Sequence, residues 1–184
     1  MKQLIFTLFL AGVFFAGCSD FNNTTIPANS QSTVQKIKMP APKNLSVETT
    51  FTVSERIAGN FGGELLLDGF YPSTTGDVMI EAELIVPSGA YSGEKVLSIS
   101  NEGQFVEVSL DPSMQFDAPV LLSVRMDGLD LSDVNPETIQ FLYFADDGST
   151  ESVTYDELIV DVENGILGVR NAQLTHFSRY GFAK

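Results

Sequence analysis

The sequence predicts an all-β protein, an antiparallel two-sheet β-sandwich of about nine or ten strands. Three observations carry that expectation. Apolar residues recur with period two and not 3.6, which marks strands with one buried face. Clusters of Gly, Asn, Asp and Pro punctuate the apolar runs. The only segment suited to a helical turn lies near Leu131 to Glu137, and Pro136 limits it.

Taken in order, Ile80, Ala82, Leu84 and Val86 share one face, while Glu81 and Glu83 point the other way. Val106, Val108 and Leu110 oppose Phe105, Glu107 and Ser109. Val120, Leu122, Val124 and Met126 oppose Leu121, Ser123 and Arg125. Leu158, Val160 and Val162 oppose Ile159, Asp161 and Glu163. Turns are expected at Asn60 to Gly63, Ser88-Gly89, Asn101-Glu102-Gly103, Asp146-Asp147-Gly148 and Asn164-Gly165. The last reads as a two-residue hairpin turn, since both positions tolerate positive φ. Many short strands at such spacing pack as a sandwich, and a domain of this size buries roughly two-thirds of its unfolded surface.

Composition narrows the function. With 10 Lys and Arg against 24 Asp and Glu, the net charge of -14 argues against nucleic acid, which demands a basic surface. It equally disfavours electrostatic docking on anionic lipid. One His and one Cys exclude metal sites built from several imidazoles or thiolates. A 43% apolar content with strong alternation excludes full disorder.

The amino terminus reads MKQLIFTLFLAGVFFAGC. Lys2 precedes an apolar run from Leu4 to Phe15 broken only by Thr7. Twelve helical residues reach roughly 18 Å, short of the ~30 Å hydrocarbon core. Residues 1–17 therefore read as an export signal. Phe15-Ala16-Gly17-Cys18 resembles the lipobox of bacterial lipoproteins, with Phe15 where Leu is usual. The resemblance implies cleavage between Gly17 and Cys18, and lipid on Cys18 as the membrane anchor. Two or three acyl chains hold stably where one is marginal. Ordinary cleavage near Ala16, leaving a free thiol, is the alternative. Ser19 implies the outer membrane if the host is Gram-negative.

Residues 18–44 then read as the lipidated Cys and a flexible tether rich in Asn, Thr, Ser and Pro. As a coil, its 26 residues after Cys18 have an end-to-end distance of ~25–30 Å, stiffened by Pro27, Pro40 and Pro42. Residues 45–184 are expected to form the sandwich. Loss of Lys2 with the leader leaves nine basic residues against 24 acidic ones.

Within that domain several motifs follow one another: Phe61-Gly62-Gly63-Glu64-Leu65, Leu84-Ile85-Val86-Pro87-Ser88-Gly89-Ala90-Tyr91, Leu110-Asp111-Pro112, Phe116-Asp117-Ala118-Pro119-Val120-Leu121-Leu122 and His176-Phe177-Ser178-Arg179-Tyr180. In this order they resemble the ZU-five β-sandwich of zonula occludens proteins, netrin receptors and ankyrins, and its bacterial extracellular relatives. Ser88 stands where that family has a second Pro, and Tyr91 where it has Leu. Architecture accounts for these motifs physically. Pro87-Ser88-Gly89 ends a strand and turns the chain, Pro119 belongs at a strand start or edge, and Gly62-Gly63 permits a tight bend.

The resemblance also implies a candidate reaction, because some eukaryotic members cleave themselves within a His-Phe-Ser motif. Here the Ser178 hydroxyl would attack the Phe177 carbonyl in an N-to-O acyl shift. His176 would assist proton transfer, and water would resolve the ester. Such chemistry needs a strained peptide and donors for the oxyanion. The opposing expectation makes His176 a half-buried, hydrogen-bonded strand residue in register with Leu174, Tyr180 and Phe182. A second candidate is calcium at Asp127, Asp130 and Asp133, whose carboxylates suit a hard cation, though their spacing is not that of an EF-hand. The alternative is an acidic surface loop without a cofactor. The expected function is accordingly that of a monomeric, lipid-anchored extracytoplasmic lipoprotein. Its sandwich would be a non-enzymatic interaction or structural module contacting a protein or glycan; self-cleavage between Phe177 and Ser178 is the alternative.

Overall fold

The computed structural model describes residues 34–184. Eleven strands form two antiparallel sheets. The first six are β1 (Phe51–Ala58), β2 (Gly63–Pro72), β3 (Asp77–Val86), β4 (Glu94–Asn101), β5 (Glu107–Asp111) and β6 (Gln115–Asp127). The rest are β7 (Gln140–Phe144), β8 (Thr150–Ser152), β9 (Glu157–Asp161), β10 (Ile166–His176) and β11 (Arg179–Ala183). A six-stranded sheet has the order β1-β4-β5-β11-β7-β8, and a five-stranded sheet has the order β2-β3-β6-β10-β9. The all-β sandwich is as expected, with slightly more strands. The extra count comes from the three-residue β8 and from the break that separates β10 and β11.

Period two explains the core. Val78, Ile80, Ala82, Leu84 and Val86 of β3, with Val120, Leu122, Val124 and Met126 of its neighbour β6, are buried in one core with Val106, Val108 and Leu110 from the side of the other sheet. One face of each sheet thus meets the other across an apolar interior. Leu158, Ile159 and Val160 break the expected alternation, since all are only partly buried. Their strand β9 pairs on one side alone, so neither face is fully covered. Val162 lies beyond the strand.

The turns follow their residues with one correction. Asn164-Gly165 is not a two-residue hairpin, because Ile166 pairs with Asp161 and four residues lie between. Gly165 alone takes positive φ, at 66°, and a Cβ there would lie 2.3 Å from the Leu129 carbonyl oxygen. Asn164 instead binds Asp161, donating its amide N–H and Nδ2 to the two carboxylate oxygens at 3.0 and 2.7 Å. Gly62 has φ 79°, with Val86 O 2.4 Å from where a Cβ would stand. The expected helical turn is a short 3-10 turn, Pro136–Thr138, capped by the Asn135 side chain.

A second correction concerns the tether. Its expected residues 34–44 are built into the sandwich; residues 19–33 lie outside the described residues. Gln35 and Lys184 exchange backbone hydrogen bonds at 3.0 and 2.9 Å. Ile37 donates to Phe182 O and accepts from Val106 N, so the strap joins β11 to the segment leading into β5. Met39 donates to Gln104 O, Thr74 to Ala41 O, and Lys43 to Pro72 O. Ile37 and Met39 are buried, and the Tyr71 hydroxyl donates to Pro40 O at 2.7 Å. Burial overrides composition here: Lys36-Ile37-Lys38-Met39 is itself a short alternating strand pattern, which a Pro- and polar-rich context obscures.

Candidate functional site

The His176-Phe177-Ser178 motif sits where the chain passes between sheets. β10 ends at His176 in the five-stranded sheet, and β11 begins at Arg179 in the other. The pairing of β10 with β6 slips between Leu174 and His176, whose partners are Val120 and Gln115; among the β6 residues left out of the register is Pro119, which has no amide to offer the ladder. Phe177 fills the corner: its ring is buried and meets Phe116 edge-on with centroids 4.8 Å apart. Its N–H donates to Met114 O, and Ser178 O accepts from Leu110 N, both at 2.9 Å. The motif therefore ties both sheets to the β5–β6 region.

His176 is half-buried. The Tyr180 hydroxyl donates to the His176 carbonyl at 2.7 Å and lies 3.3 Å from His176 Nδ1. Tyr143 packs edge-on against the imidazole, with centroids 4.7 Å apart. Burial drives the Tyr180 phenol well above its ordinary range, with Tyr143 and Glu151 adding smaller electrostatic contributions. Among the described residues the imidazole of His176 has its polar contact with Tyr180 and none with Ser178. The Phe177–Ser178 peptide is trans, and neither residue has positive φ. Residues 178–184 are no loose tail either, because β11 lies between β5 and β7.

The three aspartates proposed for calcium have separate partners. Asp127, at the end of β6, faces Arg125: Nε donates to Oδ2 at 3.2 Å, and Nη2 lies 3.1 Å from Oδ1. Asp130 accepts from the backbone N–H and hydroxyl of Ser132 at 3.2 and 2.8 Å. Asp133 accepts from Lys184 Nζ at 2.7 Å, and that hydrogen bond and charge hold its carboxyl below the usual range. Among the described residues no group of three or more His, Cys, Asp and Glu is arranged to hold a metal ion. Gly17 and Cys18 lie outside the described residues.

A different surface stands out in the tertiary structure. The outer face of the five-stranded sheet carries Leu66 (56% exposed), Phe70 (57%) and Met79 (46%), with Ile85 beside them. A cleft of about 380 Å³ opens on this face between Leu66, Glu81, Arg125 and Ile159. Alternation in β2 and β3 was the available signal, since the same period that buries Leu65 and Leu67 exposes Leu66. Comparison of the chain with family models, with curated proteins and with solved structures finds no match.

Proposed function

We propose that the protein is a lipid-anchored extracytoplasmic lipoprotein whose β-sandwich works as a non-enzymatic interaction or structural module. One observation carries the reading: an apolar run and small residues precede the only Cys of the chain, Cys18, ahead of a compact sandwich. The ZU-five-like motifs support it as architecture. Gly62, Gly89 and Pro119 occupy turns and a ladder irregularity. His176 and Phe177 serve a sheet-switch corner where Tyr180 and Phe116 engage them. In this reading the residues that a reaction would use are employed in holding the two sheets together. An outward-facing apolar surface then provides the contact.

Mass spectrometry of the amino-terminal peptide from protein expressed in a bacterial host, with cell fractionation, tests this. The expected result is a mature chain beginning at acylated Cys18 in the membrane fraction. A Cys18→Ser variant is expected to keep its leader. A mature chain with a free Cys18 thiol, or a cytoplasmic chain with its leader uncut, would overturn the proposal.

A further inference from the structure

The side chains on the outer face of β2 and β3 follow a pattern that folding alone does not explain. Glu64, Leu66, Asp68 and Phe70 point outward from β2. Their direct cross-strand partners are Ile85, Glu83, Glu81 and Met79. Two features of this register matter. Phe70 opposite Met79 leaves an apolar pair in water, and Asp68 opposite Glu81 sets two carboxylates side by side. Like charges directly across a ladder destabilise it. The cation on the next strand, Arg125 opposite Glu81, is engaged by Asp127. Among the described residues Asp68, Glu81 and Glu83 form no ion pair, while all six ion pairs found involve other carboxylates. Arg170, which also lines the cleft, is paired with Glu157, so exposed apolar side chains here alternate with carboxylates that have no ion-pair partner, the composition of a contact surface.

Charge selects the occupant. A second copy laid face to face would oppose these carboxylates with their own duplicates, on a chain of net charge -14. Residues 19–33 carry Asp20 and no Lys or Arg, so the remaining tether offers no complement. We infer that this face docks a cationic, amphipathic polypeptide segment. Its Lys or Arg side chains would reach Asp68, Glu81 and Glu83, and its apolar residues would cover Leu66, Phe70 and Met79. This rests on the interaction-module reading and gives it a partner class. Charge complementarity steers such a segment, and the apolar cluster supplies the desolvated contact.

The test is methyl NMR on the full chain in zwitterionic-lipid nanodiscs, with empty discs as the blank, because methionine places its own reporters. Met79 is 46% exposed on the face, whereas Met126 is fully buried in the same sheet. A synthetic peptide alternating Lys and Leu is expected to shift the Met79 methyl saturably and leave Met126 in place. The Asp68→Asn/Glu81→Gln double variant and, separately, Phe70→Ser should each weaken binding about tenfold or more, equal to 1.4 kcal/mol. The double variant should also melt higher than the parent without peptide, as its like-charge pair is gone. An unmoved Met79 methyl, an equal shift from spermine or from a Glu–Leu peptide, or undiminished binding by the double variant would overturn the inference. Cys18 acylation reports on the anchoring proposal separately. A partner cross-linked on whole cells at another face would sink this inference and keep the interaction module.

Discussion

The hydroxyl of Tyr180, in the six-stranded sheet, donates to the carbonyl of His176, the last residue of β10 in the five-stranded sheet, over 2.7 Å. This bond spans the corner at which the chain changes sheet. A part-buried hydrogen bond of this kind contributes about 1 kcal/mol net. Tyr180→Phe is expected to lower stability by that amount in urea denaturation, with the same slope and thus the same fold. An unchanged midpoint would show that the corner does not depend on the bond.

Corner geometry also predicts an intact chain. The Phe177–Ser178 peptide is trans, and the Ser178 carbonyl is hydrogen-bonded to Leu110. Purified protein held for days at neutral pH is therefore expected to show one mass under denaturing conditions. Denaturation is essential to the measurement, because a cleaved β11 would stay paired between its neighbours. A fragment of residues 178–184 would establish the self-cleaving reading instead.

The strap makes a demand on where the domain begins. A chain starting at Asn44 loses the buried Ile37 and Met39 and the backbone bonds made by Gln35 to Lys43. Burying each such side chain is worth about 1.5–3 kcal/mol, so the two together are worth about 3–6 kcal/mol. Urea melts comparing chains that begin at Val34 and at Asn44 should show a clear deficit, smaller than that sum because ordering the strap costs backbone entropy. Equal midpoints would return residues 34–44 to the tether.

Alkaline pH should unfold the protein through its phenols. Burial pushes Tyr71 up to about 12 and raises Tyr180 as well. An unfolded chain ionises its tyrosines near pH 10. A pKa raised by folding means stability that is complete below about pH 10 and lost as pH climbs toward 12. Ultraviolet titration should show part of the phenolate absorbance of the five tyrosines delayed until the circular dichroism changes. Full ionisation near pH 10 with the fold retained would contradict this.

Calcium is expected to leave the melting temperature unchanged within error, and so is a chelator. Asp127, Asp130 and Asp133 are each bound to a different neighbour: Arg125, Ser132 and Lys184. A calcium-dependent rise would require these contacts to rearrange around the ion. Asp130→Asn should then abolish the rise.

Much of the fold was legible because each β3 or β6 residue declares its face by parity. Ile80 and Leu84 had to be buried if Glu81 and Glu83 were not, whatever the sheets did next. The strap was hidden because Ile37 and Met39 make too short a run to outweigh the polar and Pro-rich residues around them. Asn164-Gly165 misled for a similar reason: it suits a two-residue turn, but the Asp161 carboxylate captures Asn164 and lengthens the loop. Spacing placed Asp127, Asp130 and Asp133 together, and only the folded chain reveals their separate partners.

Local chemistry, which a strand inherits from its own residues, was enough to predict an all-β sandwich and its main turns. Which strand lies beside which depends on interactions between residues far apart in the chain, and no local period encodes them. The tertiary structure alone therefore decided that His176 would be clasped by Tyr180, that Gln35 would meet Lys184, and that Asp68 would stand opposite Glu81.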